Sequence, residues 1–280
     1  MEQARKQEIA QRIIKVIESD GITASELAAK TGVHESYISR MKSGKWDDKH
    51  PAKAQWRKVE IFFGMNAIVH FDSENYTAII SECCRTQEEA SRMMIDGPSG
   101  TGKSYALKAC VRTAKNAHLI TGRDSMSKRA LLNEVAGAVG VEEFKKKSLY
   151  DLEKAIVERI TNKSGKTLLI FDECEYLKPG CLHSIKTLCD LLEGKAGTVV
   201  AGIIEEELAK RAEKGKIGMP QFIRRFGSYV LETTPPEPAY IRQTAKEYGI
   251  TDKETIAEMV KSCKDYDKLH AYISAHIKIA

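Results

Sequence analysis

The chain has 280 residues, of which 42% are hydrophobic and 30% charged, with a net charge of +5. That is the balance of a globular protein with room for one large core and a smaller attached domain. No apolar run reaches the roughly 18 residues of a membrane span and the charged N-terminus does not read as a signal sequence, so a cytoplasmic protein without a membrane partner is expected. The seven cysteines lack the CxxC pairs of a structural zinc site and read as reduced thiols.

In chain order, residues 8–20 form an amphipathic helix with Ile9, Ile13, Ile14 and Ile17 on one stripe. Thr23 is the expected N-cap of a second helix over 24–30, Glu26 closes a capping box, and Gly32 supplies the left-handed residue that ends it. A third helix over 34–43 turns Val33, Ile38 and Met41 inward and Ser36, Tyr37, Ser39 and Arg40 largely outward, and a fourth brings Trp56, Ile61 and Phe62 to close the small core. This is the spacing of a helix-turn-helix. The second of its paired helices usually enters the major groove, so Ser36, Tyr37, Ser39 and Arg40 are candidate contacts to double-stranded DNA, with Lys42 and Lys45 suited to the backbone. Between residues 40 and 58 seven basic side chains stand against Asp47 and Asp48. The plainer alternatives are a solvated charged face and a helical domain that contacts protein. Residues 1–65 make this first domain, and 64–72 read as a hinge.

A helix over 77–90 leads into a second domain, 66–233, where the apolar Met93, Met94 and Ile95 are followed by Gly97-Pro98-Ser99-Gly100-Thr101-Gly102-Lys103-Ser104 and a helix over 105–115. The octapeptide matches GxxxxGK[ST] in the strand, loop, helix order of a phosphate-binding loop. Its glycines let the backbone curl so that successive N–H groups point at phosphates, Lys103 reaches the β and γ phosphates of ATP, and Ser104 ligates Mg²⁺. The buried run Leu168-Leu169-Ile170-Phe171 ends in Asp172, placed to hold Mg²⁺ through its water shell, and Glu173, placed to orient an attacking water. An adjacent carboxylate pair favours hydrolysis over nucleotide storage.

Further strands over 118–121, 167–171, 198–201 and 228–231 alternate with helices over 125–138, 149–160, 181–192 and 205–213. The fold class is α/β, with a mostly parallel sheet covered on both faces. Arg224 and Arg225 precede the last strand, where one could act as an arginine finger on a neighbouring subunit's nucleotide; pairing with carboxylates is their alternative. Residues 234–280 hold three helices, 238–248, 252–262 and 268–279, read as a lid in which Lys268 is a candidate nucleotide contact and Arg242 its rival. The strand over 198–201 ends in Ala201-Gly202 with no polar group to sense a γ phosphate.

The phosphate loop, the run ending in Asp172-Glu173, Val199-Val200-Ala201-Gly202 and Arg224-Arg225-Phe226 together resemble the AAA+ ATPases of the transposition-regulator branch. The N-terminal helix-turn-helix brings the resemblance closest to the transposition B proteins of phage Mu and Mu-like prophages. The resemblance implies a P-loop AAA+ core with a helical lid and ATP-dependent, largely non-sequence-specific binding of double-stranded DNA as a homo-oligomer or helical filament. It further implies delivery of that DNA to a DDE-type transposase, release after transposase-triggered hydrolysis, and a phage or mobile-element protein acting in a bacterial cytoplasm. Lys268 where related lids often place an arginine, the bare end of the 198–201 strand and the compact body fit a slow ATPase that DNA or the transposase stimulates. A filament also calls for DNA contacts on the ATPase body, for which Lys145, Lys146, Lys147 and Lys186 are candidates. A helicase-loader or replication-initiation ATPase and a nucleotide-responsive transcription regulator are the alternatives.

Overall fold

A computed structural model describes residues 3–19, 22–47, 50–63, 73–206, 210 and 219–279. Its contacts gather into two units, Met1–Phe71 with Pro236–Ala280, and Asp72–Pro235.

The chain opens with α1 (Gln3–Ser19), α2 (Ala24–Thr31), α3 (Glu35–Lys42) and α4 (Lys53–Phe62). The capping box at α2 is formed: the Thr23 hydroxyl accepts from Glu26 N–H at 3.2 Å and the Glu26 carboxylate accepts from Thr23 N–H at 2.8 Å. Gly32 ends α2 at φ 62°, and His34 then caps α3 by accepting from Ser36 N–H. Ile9, Ile13, Leu27, Val33, Ile38, Met41, Trp56 and Val59 fill the core. Helix α1 begins earlier than its apolar stripe because its charged start is anchored: Arg5 donates to Glu60 at 2.7 Å, and Lys6 to the Asp47 carbonyl at 3.3 Å. Phe62 does not close the core as expected. Trp56, Val59 and Glu60 share the inner face of α4 at helical spacing, which turns Phe62 outward to 40% exposure, while Phe63 packs against the core. The Ile61 side chain and the expected hinge at 64–72 lie outside the described residues.

The central unit runs α5 (Glu74–Glu89), β1 (Arg92–Asp96), α6 (Lys103–Thr113), β2 (Ala117–Thr121), α7 (Lys128–Val139), α8 (Leu149–Thr161), β3 (Thr167–Asp172), α9 (Pro179–Leu191), β4 (Ala196–Gly202), α10 (Met219–Phe226) and β5 (Val230–Glu232). Single 3₁₀ turns at Phe144–Lys146 and Cys174–Tyr176 interrupt the alternation. Of the helix expected over 205–213, the described residues show the turn at 204–206 and Lys210 as helical. The five strands pair in parallel in the order β2-β3-β4-β1-β5. Successive residues face opposite sides, so Met93 and Ile95 pack with α5 and α6 while Met94 joins the core under α7, α8 and α9. Every residue of β3 is buried, as a strand covered on both faces requires. Strand β4 lies between β1 and β3, and Asp96 is level with Gly202, so the ends of these three strands make one row.

Helices α11 (Pro238–Glu247), α12 (Lys253–Ser262) and α13 (Tyr266–Ile279) close around Ile241, Ala245, Tyr248, Met259, Leu269 and Ile273. Helix α11 packs on α4, where the Arg57 guanidinium lies 5.2 Å from the centre of the Tyr248 ring.

Glu60, 2% exposed, accepts from both Arg5 and Arg57. Glu60→Ala leaves that charge network without its acceptor and is expected to destabilise the N-terminal helices by about 3 kcal/mol, whereas Glu8→Ala, at the exposed Arg5–Glu8 pair, costs under about 1 kcal/mol. Both tryptophans of the chain, Trp46 and Trp56, lie in this domain, so a urea titration followed by tryptophan emission measures the difference there.

Candidate functional site

The phosphate loop spans the gap from the end of β1 to the start of α6, and all three of its glycines take positive φ: Gly97 at 142°, Gly100 at 77° and Gly102 at 86°. Gly97 is also required by space, since a Cβ there would sit 2.4 Å from Thr233 Oγ1 and 2.5 Å from the Thr233 carbonyl. Gly102 caps α6 without a side-chain acceptor, leaving the positive end of the helix to an anion. Lys103 folds back to donate to the carbonyls of Gly97 at 2.6 Å and Pro98 at 2.8 Å. Burial lowers its pKa, opposed by the carboxylates of Glu175, Asp172 and Asp96. A mostly buried ammonium resting on neutral carbonyls, beside N–H groups freed by glycine, fits the phosphates of a nucleotide.

The loop is tied to the end of β5. Thr101 donates to the Pro98 carbonyl at 2.9 Å and meets the Thr233 hydroxyl at 2.8 Å, and Thr233 N–H donates to the Asp96 carbonyl at 2.8 Å. Asn75, near the start of α5, donates from one amide nitrogen to the carbonyls of Thr101 at 3.0 Å and Thr234 at 2.7 Å. Sequence reading missed Asn75, because nothing local distinguishes it from a solvent-facing asparagine in a first helical turn.

Asp172 is 2% exposed at the end of β3, and its Oδ1 accepts from Glu173 N–H at 2.9 Å. Glu173 adopts φ 55°, a left-handed conformation that costs a non-glycine residue about 1 kcal/mol or more, and the chain bends off the sheet there into the turn at Cys174–Tyr176. That bend brings in a second residue that sequence reading passed over. The Glu175 carboxylate accepts from the backbone N–H of Ile203 and lies so near Gly202 that a Cβ there would be 2.0 Å from Oε2. Burial raises its pKa, against the pull of Lys103. The end of β4, bare in sequence, is thus furnished with a polar group from the neighbouring chain segment. Asp96 Oδ1 accepts from Ile204 N–H at 2.5 Å and Glu205 N–H at 3.3 Å.

Ser104 is half-buried in the first turn of α6. Among the described residues no group of three or more His, Cys, Asp and Glu side chains is arranged to hold a metal. Ser104, and Asp172 through the ion's water shell, are the residues that would hold a Mg²⁺, which would neutralise charge on the phosphate oxygens.

The remaining expected site residues lie elsewhere. Arg225 donates to Asp190 at 2.6 Å, near Arg92 at the start of β1, so it sits at the sheet edge opposite the phosphate loop; Arg224 is exposed. Lys186 also pairs with Asp190, at 2.9 Å. Lys145 and Lys146 are exposed on a 3₁₀ turn and Lys147 is half-buried. In the terminal unit Lys268 is exposed, 3.7 Å from Asp265, and Arg242 is exposed on α11. Ser36, Ser39, Arg40, Lys42 and Lys45 are exposed, but Tyr37 is half-buried against the core and stands edge-on to His34, which also holds the Ser36 hydroxyl at 2.9 Å. The basic surface is smaller than the sequence suggests: Arg57 is buried on Glu60, and Lys58 donates to the Gly32 carbonyl at 3.2 Å.

Residues 86–211 match the family model described as an AAA domain. No curated protein matches the chain. Among solved structures it is similar to Cdc6p from Pyrobaculum aerophilum, with a TM-score of 0.51 and 16% identity over 71% of this chain and 57% of that one. It is similar to the Aeropyrum pernix ORC1 protein in complex with DNA, with a TM-score of 0.53 and 16% identity over 73% and 59% of the two chains. For the Aeropyrum pernix ORC2 protein, solved in ADPNP–ADP complexes, the values are 0.51, 13%, 72% and 60%. The chain therefore spans less than two thirds of the length of each of these relatives. The shared feature is the fold, which is that of the P-loop AAA+ proteins.

Asn75→Ala removes the donor shared by the Thr101 and Thr234 carbonyls. It is expected to destabilise the central unit by about 1–3 kcal/mol and to weaken nucleotide binding; thermal melts with and without ADP measure both effects.

Proposed function

We propose that the protein is an ATP-dependent DNA-binding ATPase that assembles on double-stranded DNA with little sequence preference and presents it to a DDE-type transposase. The observation that carries the ATPase part is the row of strand ends that sets the phosphate loop, with Lys103, beside Asp172 and Glu173 across the end of β4. The exposed Ser39, Arg40, Lys42 and Lys45 of the helix-turn-helix support the DNA part, and the sequence resemblance to the transposition-regulator branch supports the partner. On this reading the protein acts in the cytoplasm of a bacterial host and is encoded by a phage or mobile element.

In this function the loop N–H groups and Lys103 bind the triphosphate, Lys103 leaving the carbonyls of Gly97 and Pro98 for the β and γ oxygens. Ser104 and Asp172 hold Mg²⁺, which supplies charge neutralisation at those oxygens. Glu173 orients the attacking water. Arg225 is engaged by Asp190 at the far edge of the sheet, so the exposed Arg224 is the better placed of the pair to reach a neighbouring subunit. Hydrolysis then depends on assembly. Lys268 and Arg242 are the lid's candidates for a further phosphate contact.

A replication-initiation ATPase is the second reading, favoured by the fold shared with Cdc6p and with an ORC1 protein solved on DNA. Stable binding to a replicative helicase would support it over the first.

Purified protein imaged on random-sequence duplex DNA is expected to form filaments with ATP, not with ADP, and to lose them when the transposase is added. A discrete footprint at one sequence would overturn the reading. Lys103→Ala is expected to abolish ATP binding, and Glu173→Gln to bind ATP and form filaments that persist. Arg224→Ala should leave ATP affinity unchanged while turnover on DNA falls by about 10³-fold, measured as phosphate release.

A further inference from the structure

The end of the sheet opposite the phosphate loop carries a second concentration of charge. Arg85 on α5, Arg92 at the start of β1 and Arg225 on α10 line one cavity of about 360 Å³, whose wall includes the exposed Tyr229. The nucleotide reading draws on neither Arg85, Arg92 nor Tyr229.

The three guanidiniums are fixed from inside the fold. Arg225 is held by Asp190, which also takes Lys186. Arg92 donates to the Cys189 sulfur at 2.9 Å, and Arg85 lies 4.7 Å from the centre of the Tyr229 ring while pairing with Glu82. Two further carboxylates complete the cluster from its mouth. Glu89 meets Arg85 at 3.0 Å and Glu193 meets Arg92 at 3.3 Å, yet their side chains remain 50% and 74% exposed. Exposed pairs of this kind are weak, so both glutamates exchange readily for a carboxylate that arrives from outside.

We propose that this cavity is a docking site for an acidic peptide segment of a partner protein, two carboxylates of which take the places of Glu89 and Glu193. Planar guanidinium forks bind carboxylates through paired hydrogen bonds, and clusters of arginine are a recurring means of reading acidic motifs. The arginines keep their inner contacts when the mouth glutamates leave, so the site is organised before the peptide arrives. Glu89 comes from α5 and Glu193 from just past the end of α9, which gives the cavity two separate carboxylate positions. A single small anion fills one of them; a chain bearing several acids fills both. Ser228 and Tyr229 also lead directly into β5, the outermost strand of the sheet, whose outer edge pairs with no strand among the described residues. A peptide, unlike a free anion, therefore has main-chain partners beside the guanidiniums. The site stands whether or not the phosphate loop works as proposed above.

The test uses the full-length protein without nucleotide and a fluorescein-labelled hexaglutamate peptide, with binding read by anisotropy. The double variant Glu89→Gln, Glu193→Gln removes the internal competitors and is expected to bind the peptide about threefold tighter than the wild type. Arg85→Ala is expected to bind at least about tenfold more weakly, and so is Arg92→Lys, which keeps the charge and the buried stem but loses the fork. The double variant Arg40→Ala, Lys45→Ala should match the wild type. Unchanged affinity in both the glutamine double variant and Arg85→Ala would overturn the proposal. So would loss of binding in the Arg40→Ala, Lys45→Ala protein, which would place the peptide on the basic surface of the N-terminal helices. Displacement of the peptide by an equal concentration of inorganic phosphate would make this a small-anion site, and self-association abolished by Arg85→Ala would make the occupant a second copy of the chain; either result overturns the assignment to a partner's acidic segment.

Discussion

A lysine charge drawn in among three carboxylates is the interaction on which the central unit is organised. Lys103 sits at the end of a parallel sheet where Asp96, Asp172 and Glu175 converge, and its ammonium offsets part of their charge. The sheet order makes the convergence unavoidable. With β4 between β1 and β3, the acids that end the outer two strands can be reached only over the end of the middle one, and Gly202 keeps that end free of any side chain. The close approach of Gly97 to Thr233 on the other flank has the same character: backbone is packed against backbone, so the loop has little room to relax into another shape.

What could be read from sequence follows from what is contiguous in sequence. The loop from Gly97 to Ser104 is a single octapeptide whose chemistry depends on its own backbone, and Asp172 closes an apolar run that can only be a buried strand, so both were legible. Asn75 and Glu175 were not, because each acts on carbonyls or amides brought to it by other elements, and neither spacing nor composition records that pairing. Phe62 failed for a different reason. Adjacent aromatics in a helix cannot both face one core, and only the phase set by Trp56 and Val59 decides which turns inward. The run of basic residues near α4 was overcounted because charge in a sequence carries no sign of burial: Arg57 is committed to Glu60, and Lys58 to Gly32.

The terminal unit places its electrostatics inside a much smaller core. Glu60 is buried, and a lone carboxylate there would cost several kcal/mol; two guanidiniums, from Arg5 and Arg57, offset it. Arg57 then spends its remaining face on the Tyr248 ring at the end of α11. One side chain thereby serves both the core of the N-terminal helices and the packing of the C-terminal helices, and the first and last segments of the chain fall into a single compact unit.

The position of the arginine pair sharpens the argument for assembly. Arg225 lies by the first residue of β1 and the phosphate loop follows the last, so the length of a strand, roughly 13 Å at 3.3 Å per residue, separates them along the sheet. Its guanidinium is also claimed by Asp190. A cation so placed cannot neutralise charge developing on a phosphate at the other edge of its own sheet. On the proposed function this arginine pair acts on hydrolysis only across a boundary between two copies of the chain, and the exposed Arg224 is the member of the pair left available for that contact.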